Sequence, residues 1–227
     1  MLLLYVPRVS TPRMQHSLPY SLVIFDLDGT LADSFPWFRC HVNGVADRFG
    51  FRRIADADVE GLRHADSRDI LARLEVPAWK LPAIARHMRR LKGQHLQDIP
   101  LFHGAETMLR ALAASGFRLA LVSSDSEANA RGQLGELAGL FSHFDCGASI
   151  FGKAAKFRRV VRHAGLNPAD AIAIGDEVRD IEAARAAGIA CGAVRWGFAS
   201  PEALRARAPD LTFERMEDIV QALRPAN

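Results

Sequence analysis

The sequence predicts an α/β fold: a Rossmann-like, doubly wound parallel sheet with a small helical domain inserted after its first strand. Three observations carry this. Short apolar runs bounded by Gly, Ser or Asp recur at 22–25, 119–122, 171–174 and 191–194, and such runs suit strands buried on both faces. Amphipathic stretches lie between the later runs, an alternation that implies right-handed crossovers onto one sheet. Between Asp33 and Ile99 the alternation breaks, and no segment reads as a strand.

Taken in chain order, residues 1–17 contain Pro7 and Pro12 and read as a loose N-terminal extension, with Met14 a candidate natural start. The opening MLLLYV has no basic stretch before it and no small-residue cleavage site after it, so no signal peptide is expected. Strand 22–25 follows. Stretches 36–49, 67–74 and 80–96 read as helices, punctuated by Pro77 and Pro82. They are too long for one crossover, and the alternative is a decorated connection packed on the sheet. Helices 105–115, 154–164 and 178–187 stop at Gly116, Gly165 and Gly188. Ser200-Pro201 supplies an N-cap with proline at the first helical position, and 211–213 adds a last strand. The expected division is a core of 18–34 and 98–227 with a helical cap at 35–97.

Composition excludes several classes. The chain has 227 residues, 49% hydrophobic and 24% charged, with net charge +3, the profile of a globular protein. The densest basic cluster, Arg89, Arg90 and Lys92, reads as a solvated helix face, so no nucleic-acid partner is expected. No run is long enough to cross a bilayer, and no membrane partner is expected. Cys40, Cys146 and Cys191 lack metal spacing and read as buried thiols of a reducing, cytoplasmic compartment. The expected assembly is a monomer or homodimer. Trp37 and Trp79 read as packing inside the cap, and His64 and His103 as surface or loop histidines.

Ligands of open parallel sheets bind beyond the carboxyl ends of the strands. The first strand ends in Asp26-Leu27-Asp28-Gly29-Thr30, the second in Ser123-Ser124-Asp125, and a later one in Gly175-Asp176-Glu177, with Asp180 following. Neighbouring carboxylates repel and resist burial, so something must compensate. A hard cation such as Mg²⁺ takes oxygen ligands. Asp26 and Asp176 can offer carboxylates and Asp28 its carbonyl, while Asp180 can orient a bound water. A phosphoryl group completes the balance, meeting Lys153 and the Ser123 hydroxyl. Of Asp26 and Asp28, one can attack phosphorus and the other can shuttle the proton. Gly29 permits a sharp turn without crowding the pocket. Gly147 to Ala154 matches the start of a nucleotide-binding phosphate loop, but Ala154 stands where its Ser or Thr belongs.

DLDGT, a strand-end Ser, a Lys and GDEVRD, in that order, resemble the haloacid dehalogenase-like hydrolase superfamily, most closely its phosphoglycolate-phosphatase-like branch with a helical cap. The resemblance runs from Ser21 to about Asp218. It implies that Asp26 is a phosphorylated nucleophile and Asp28 the general acid/base. It also implies that Ser123 and Ser124 bind the phosphoryl oxygens, Lys153 steadies nucleophile and phosphate, and Asp176 ligates Mg²⁺ with help from Asp180. Two residues depart from the usual pattern: Ser124 replaces a common Asn, and Lys153 lacks the following Pro-x-Pro, which leaves Lys156 as a rival. Arg63, His64 and Arg68 fall where related caps approach the phosphate, and either substrate contact or a solvated loop explains them. The expected activity is a Mg²⁺-dependent phosphatase acting on a small, phosphoglycolate-like phosphate ester. A phosphosugar mutase and a non-catalytic binding or regulatory module are the alternatives.

Overall fold

The structure is a computed structural model that describes residues 20–147 and 152–223; the expected extension at 1–17 lies outside them. Six parallel strands, β1 (Leu22–Phe25), β2 (Arg118–Val122), β3 (Phe141–Asp145), β4 (Ala171–Gly175), β5 (Ala190–Val194) and β6 (Leu211–Phe213), form one sheet. Its order is β3-β2-β1-β4-β5-β6, so β1 and β4 meet where the winding reverses. The registers Phe25↔Leu121 and Phe25↔Ile174 bring the residues after β1, β2 and β4 to one edge.

Helices α1 (Phe35–Phe49), α2 (Val59–Arg63), α3 (Ser67–Arg73) and α4 (Leu81–Gly93) lie between β1 and β2, and no strand does. The later helices are α5 (Ala105–Ala114), α6 (Glu127–Leu134), α7 (Lys153–His163), α8 (Val178–Ala187), α9 (Pro201–Ala206) and α10 (Met216–Leu223). Strand side chains alternate between the two faces of the sheet. Val23 and Phe25 therefore pack with Met108 and Leu112 of α5 and Ile219 of α10, while Leu22 and Ile24 pack with Phe157 and Val160 of α7 and Ile181 of α8. All four β1 side chains are buried, the physical reason for their unbroken apolar run.

Two short connections carry the chain into and out of the α1–α4 segment. Ala32 bridges Leu101 antiparallel, Asp33 N–H donates to the Pro100 carbonyl and Phe102 N–H to that of Leu31, each at 2.9 Å. The segment is thus anchored beside the end of β1.

Several sequence expectations need correction. Strand β3 and helices α2, α6 and α10 were not foreseen: β3 reads FSHFD and half-exposes its polar middle. Trp79 is 77% exposed, not packed in a core, whereas Trp37 is buried. Cys40 is exposed and only Cys191 is fully buried. Residues 148–151 of the rejected phosphate loop lie outside the described residues, and α7 begins directly at Lys153.

Candidate active site

The chain turns sharply after β1. Asp26 N–H still donates to the Ile174 carbonyl as a sheet extension, at 2.9 Å. Leu27 N–H then bonds the Asp26 carboxylate at 2.8 Å, which fixes that side chain at the sheet edge. Gly29 takes φ +76°, and a Cβ there would lie 2.2 Å from Asp176 Oδ2. A side chain at this turn would collide with the neighbouring carboxylate, so Gly29 is needed for both conformation and space.

Asp26, Asp176 and Asp180 converge. All three are buried, and each offers a carboxylate oxygen within 4.8 Å of the others. Lys153, at the start of α7, places its Nζ 2.7 Å from Asp26 Oδ2 and 2.5 Å from Asp180 Oδ1. Lys156 points elsewhere. It donates to the Asp145 and Cys146 carbonyls at 2.9 and 2.8 Å and pairs with the Asp145 carboxylate. Of the two rival lysines, only Lys153 reaches the acidic cluster.

Asp176 is held from two sides: Thr30 Oγ1 donates to Oδ1 at 2.7 Å and Phe198 N–H to Oδ2 at 2.7 Å. Asp180 accepts from Glu177 N–H at 3.0 Å through its other oxygen, closing a capping box at the start of α8.

The cluster is buried and carries more carboxylates than ammonium groups. Burial pushes Asp26 up from 3.8 to about 6, against the pull of Lys153. Burial, then Glu177, Asp180 and Asp26, push Asp176 well above its ordinary value. Burial opposes charge on Asp180 too, but Lys153 and Arg179 outweigh it and hold Asp180 low. For Lys153, burial is outweighed by Asp180 and Asp26, which raise it. Two strained carboxylates beside an all-oxygen donor set are what a hard divalent cation would relieve, so the residues fit Mg²⁺.

Asp28 faces another way. Its Oδ1 lies 2.6 Å from Lys92 Nζ of α4, and the same ammonium lies 2.8 Å from buried Asp125 Oδ2. Burial works against the Lys92 charge, but Asp28 and Asp125 together raise its pKa. Asp125 also accepts from Asn129 Nδ2 at 2.8 Å. Ser123 is buried after β2, its hydroxyl accepting from Asp125 N–H at 3.1 Å. The Ser124 carbonyl accepts from Arg89 Nε at 2.8 Å. Lys92 and Arg89 therefore tie α4 to the ends of β1 and β2.

The three residues singled out before and within α3 separate. Arg63 donates to the Phe198 and Gly197 carbonyls at 3.0 and 3.2 Å, bracing the loop that holds Asp176. His64 and Arg68 are exposed and lie outside the lining of the adjacent cavity; His64 bonds the Glu60 carbonyl. Sequence reasoning missed Lys92, Arg179, Gly197 and Phe198. A Cβ on Gly197 would lie 2.2 Å from that of Asp176, yet nothing near Gly197 in the sequence marks it.

The family model described as haloacid dehalogenase-like hydrolase matches residues 23–194. The chain is 35% identical over 203 residues to the phosphoglycolate phosphatase of Synechococcus elongatus, covering 88% of this chain and 96% of that protein. It is 29% identical to a 5'-nucleotidase of Pseudomonas aeruginosa, covering 85% of this chain and 90% of the relative. Its fold resembles that of a haloacid dehalogenase-like family hydrolase from Streptococcus pneumoniae, with a TM-score of 0.73 at 21% identity, over 89% of this chain and 98% of that one.

Proposed function

The chain belongs to the haloacid dehalogenase-like hydrolase family, in its phosphoglycolate-phosphatase-like branch, and is a hydrolase of phosphate esters; on that premise we propose that it is a Mg²⁺-dependent phosphatase of small phosphate monoesters, working through an aspartyl-phosphate on Asp26. The observation that carries this is the Lys153 ammonium lodged between Asp26 and Asp180 inside the three-carboxylate cluster. One Asp26 oxygen is oriented by Leu27 N–H and the other by Lys153, so the carboxylate is positioned before substrate arrives.

Asp26 Oδ attacks phosphorus as the ester oxygen departs, and Asp28 as a carboxylic acid gives that oxygen its proton. Asp28, now a carboxylate, takes a proton from water. That water attacks phosphorus, and inorganic phosphate leaves as Asp26 is regenerated. Lys153 and the Ser123 and Ser124 groups meet the charge on the phosphoryl oxygens, the dominant need in this reaction. Mg²⁺, held by Asp26, Asp176 and the Asp28 carbonyl with Asp180 behind them, would supply charge neutralisation at the phosphoryl group. Residues 35–97 serve as a cap that excludes water, with Lys92 and Arg89 among its contacts to the core. Arg63 braces the Asp176 loop.

The test is a phosphate-release assay over metabolite esters, phosphoglycolate first, with Mg²⁺ and with chelator. Release that needs Mg²⁺ and vanishes in Asp26→Asn is expected. Metal-independent release, or activity surviving in that variant, overturns the reading.

A further inference from the structure

A cavity of about 380 Å³ opens on the Asp28 side of the site, bounded by α1–α4 and by the ends of β2 and β4. This is in the range that encloses drug-sized ligands, about 300–1,000 Å³, and far exceeds the needs of a two-carbon acid. Its wall is mostly hydrocarbon: Phe38, Val42 and Val45 of α1, Leu62 of α2, Ile70 of α3 and Met88 of α4. Asp28, Ser124, Asp125 and Arg179 form its floor, so the space is continuous with the proton-shuttling carboxylate and with the phosphoryl-binding edge.

The cations along this wall are already engaged. Lys92 serves Asp28 and Asp125, Arg89 the Ser124 carbonyl, and Arg63 the carbonyls of Gly197 and Phe198. Arg39 pairs with Asp56 at 2.6 Å and Arg179 with Glu177. Lys92, Arg39 and Arg179 are thus paired with carboxylates while Arg63 and Arg89 hold backbone carbonyls, so a second anionic group would have to share a cation already in use, whereas a hydrocarbon group would bury apolar surface on both sides.

We propose that this cavity is the leaving-group pocket and that it selects phosphate monoesters of apolar alcohols with several carbons over esters carrying a second charge. The proposal rests on the phosphatase reading above and narrows its substrate. The phosphate sits at the carboxylate edge, the ester oxygen faces Asp28, and the hydrocarbon extends among α1, α3 and α4.

The test measures kcat/KM for methyl, butyl and hexyl phosphate and for phosphoglycolate, all with Mg²⁺. The alkyl alcohols have similar leaving-group basicity, so the series isolates apolar burial. A rise of about tenfold or more from methyl to butyl is expected, given about 0.8 kcal/mol per buried methylene, with butyl phosphate outrunning phosphoglycolate. Ile70→Phe and, on a separate helix, Leu62→Phe narrow the pocket; whichever of them folds is expected to shrink the hexyl-to-methyl ratio at least threefold. Because a ratio is read, a general loss of activity cancels. A flat alkyl series, a preference for phosphoglycolate, or a ratio unchanged in the folded variant overturns the pocket assignment and leaves the phosphatase reading standing. No release from any ester would instead overturn the phosphatase reading itself.

Discussion

At the scale of single residues, two lysines three positions apart do different work. Lys153 neutralises Asp26 and Asp180, while Lys156 pins the end of β3. Lys153→Met is expected to lower kcat by about 10²–10³-fold, the usual cost of losing a charge stabiliser at the reacting centre. Lys156→Met is expected to keep kcat within about threefold and to lose roughly 2–3 kcal/mol of stability, because Asp145 keeps its Arg159 partner. Steady-state kinetics beside urea melts separate the two. Lys92→Met strands buried Asp125, 4% exposed, with only neutral donors. A loss of about 3 kcal/mol is expected, read as a lower urea midpoint with unchanged slope. The sequence made Asp26, Asp28, Lys153 and Asp176 legible because each sits in an ordered motif. Lys92 was not legible: it reads as one more cation on a basic helix, and only the fold brings it to a carboxylate 64 positions away.

At the scale of elements, the buried strands β1, β2, β4 and β5 announced themselves and half-exposed β3 did not. β1 and β4 are apolar throughout, which separates them from any amphipathic helix. β3 lies at the sheet edge and exposes Ser142, so its composition carries no strand signal. Helix α6, EANARGQL, buries only Asn129, Ala130 and Leu134, too few apolar groups for a visible period. The loop after β5 was equally silent, although it presses Gly197 on Asp176 and donates Phe198 N–H. Gly197→Ala drives a methyl into the Asp176 side chain. It is expected to cost about 1–3 kcal/mol and to weaken Mg²⁺ binding at least fivefold, measured by calorimetric titration; unaltered affinity would show that this loop does not set the Asp176 position.

At the scale of the whole molecule, the doubly wound order follows from strand–helix alternation, and the site follows from the place where that order reverses, between β1 and β4. Stability inherits the charge imbalance there. Asp26 has its folded value raised from 3.8 to about 6 by burial, so its contribution is fully present below 3.8 and lost as pH rises through about 6; raised Asp176 acts in the same sense. Asp180 is shifted the other way and loses its contribution only in acid below the ordinary carboxylate range. The metal-free protein is therefore expected to gain stability at this site between pH 7 and pH 5. Bound Mg²⁺ needs the ionised carboxylates, so its stabilising effect is expected to grow over the same interval in the opposite direction. Melting curves with Mg²⁺ and with chelator at pH 5 and 7.5 check this; an equal metal increment at both values contradicts it.

The proposed transfer of a phosphoryl group to Asp26 can be tested directly. Asp28→Asn, which lacks the base proposed for the second step, is mixed with Mg²⁺ and an activated aryl phosphate, quenched in acid and digested for mass spectrometry. The peptide spanning β1 is expected to carry one phosphoryl group on Asp26, lost on treatment with hydroxylamine. Turnover of the ester with no adduct at Asp26, or an adduct on a different residue, would contradict the account.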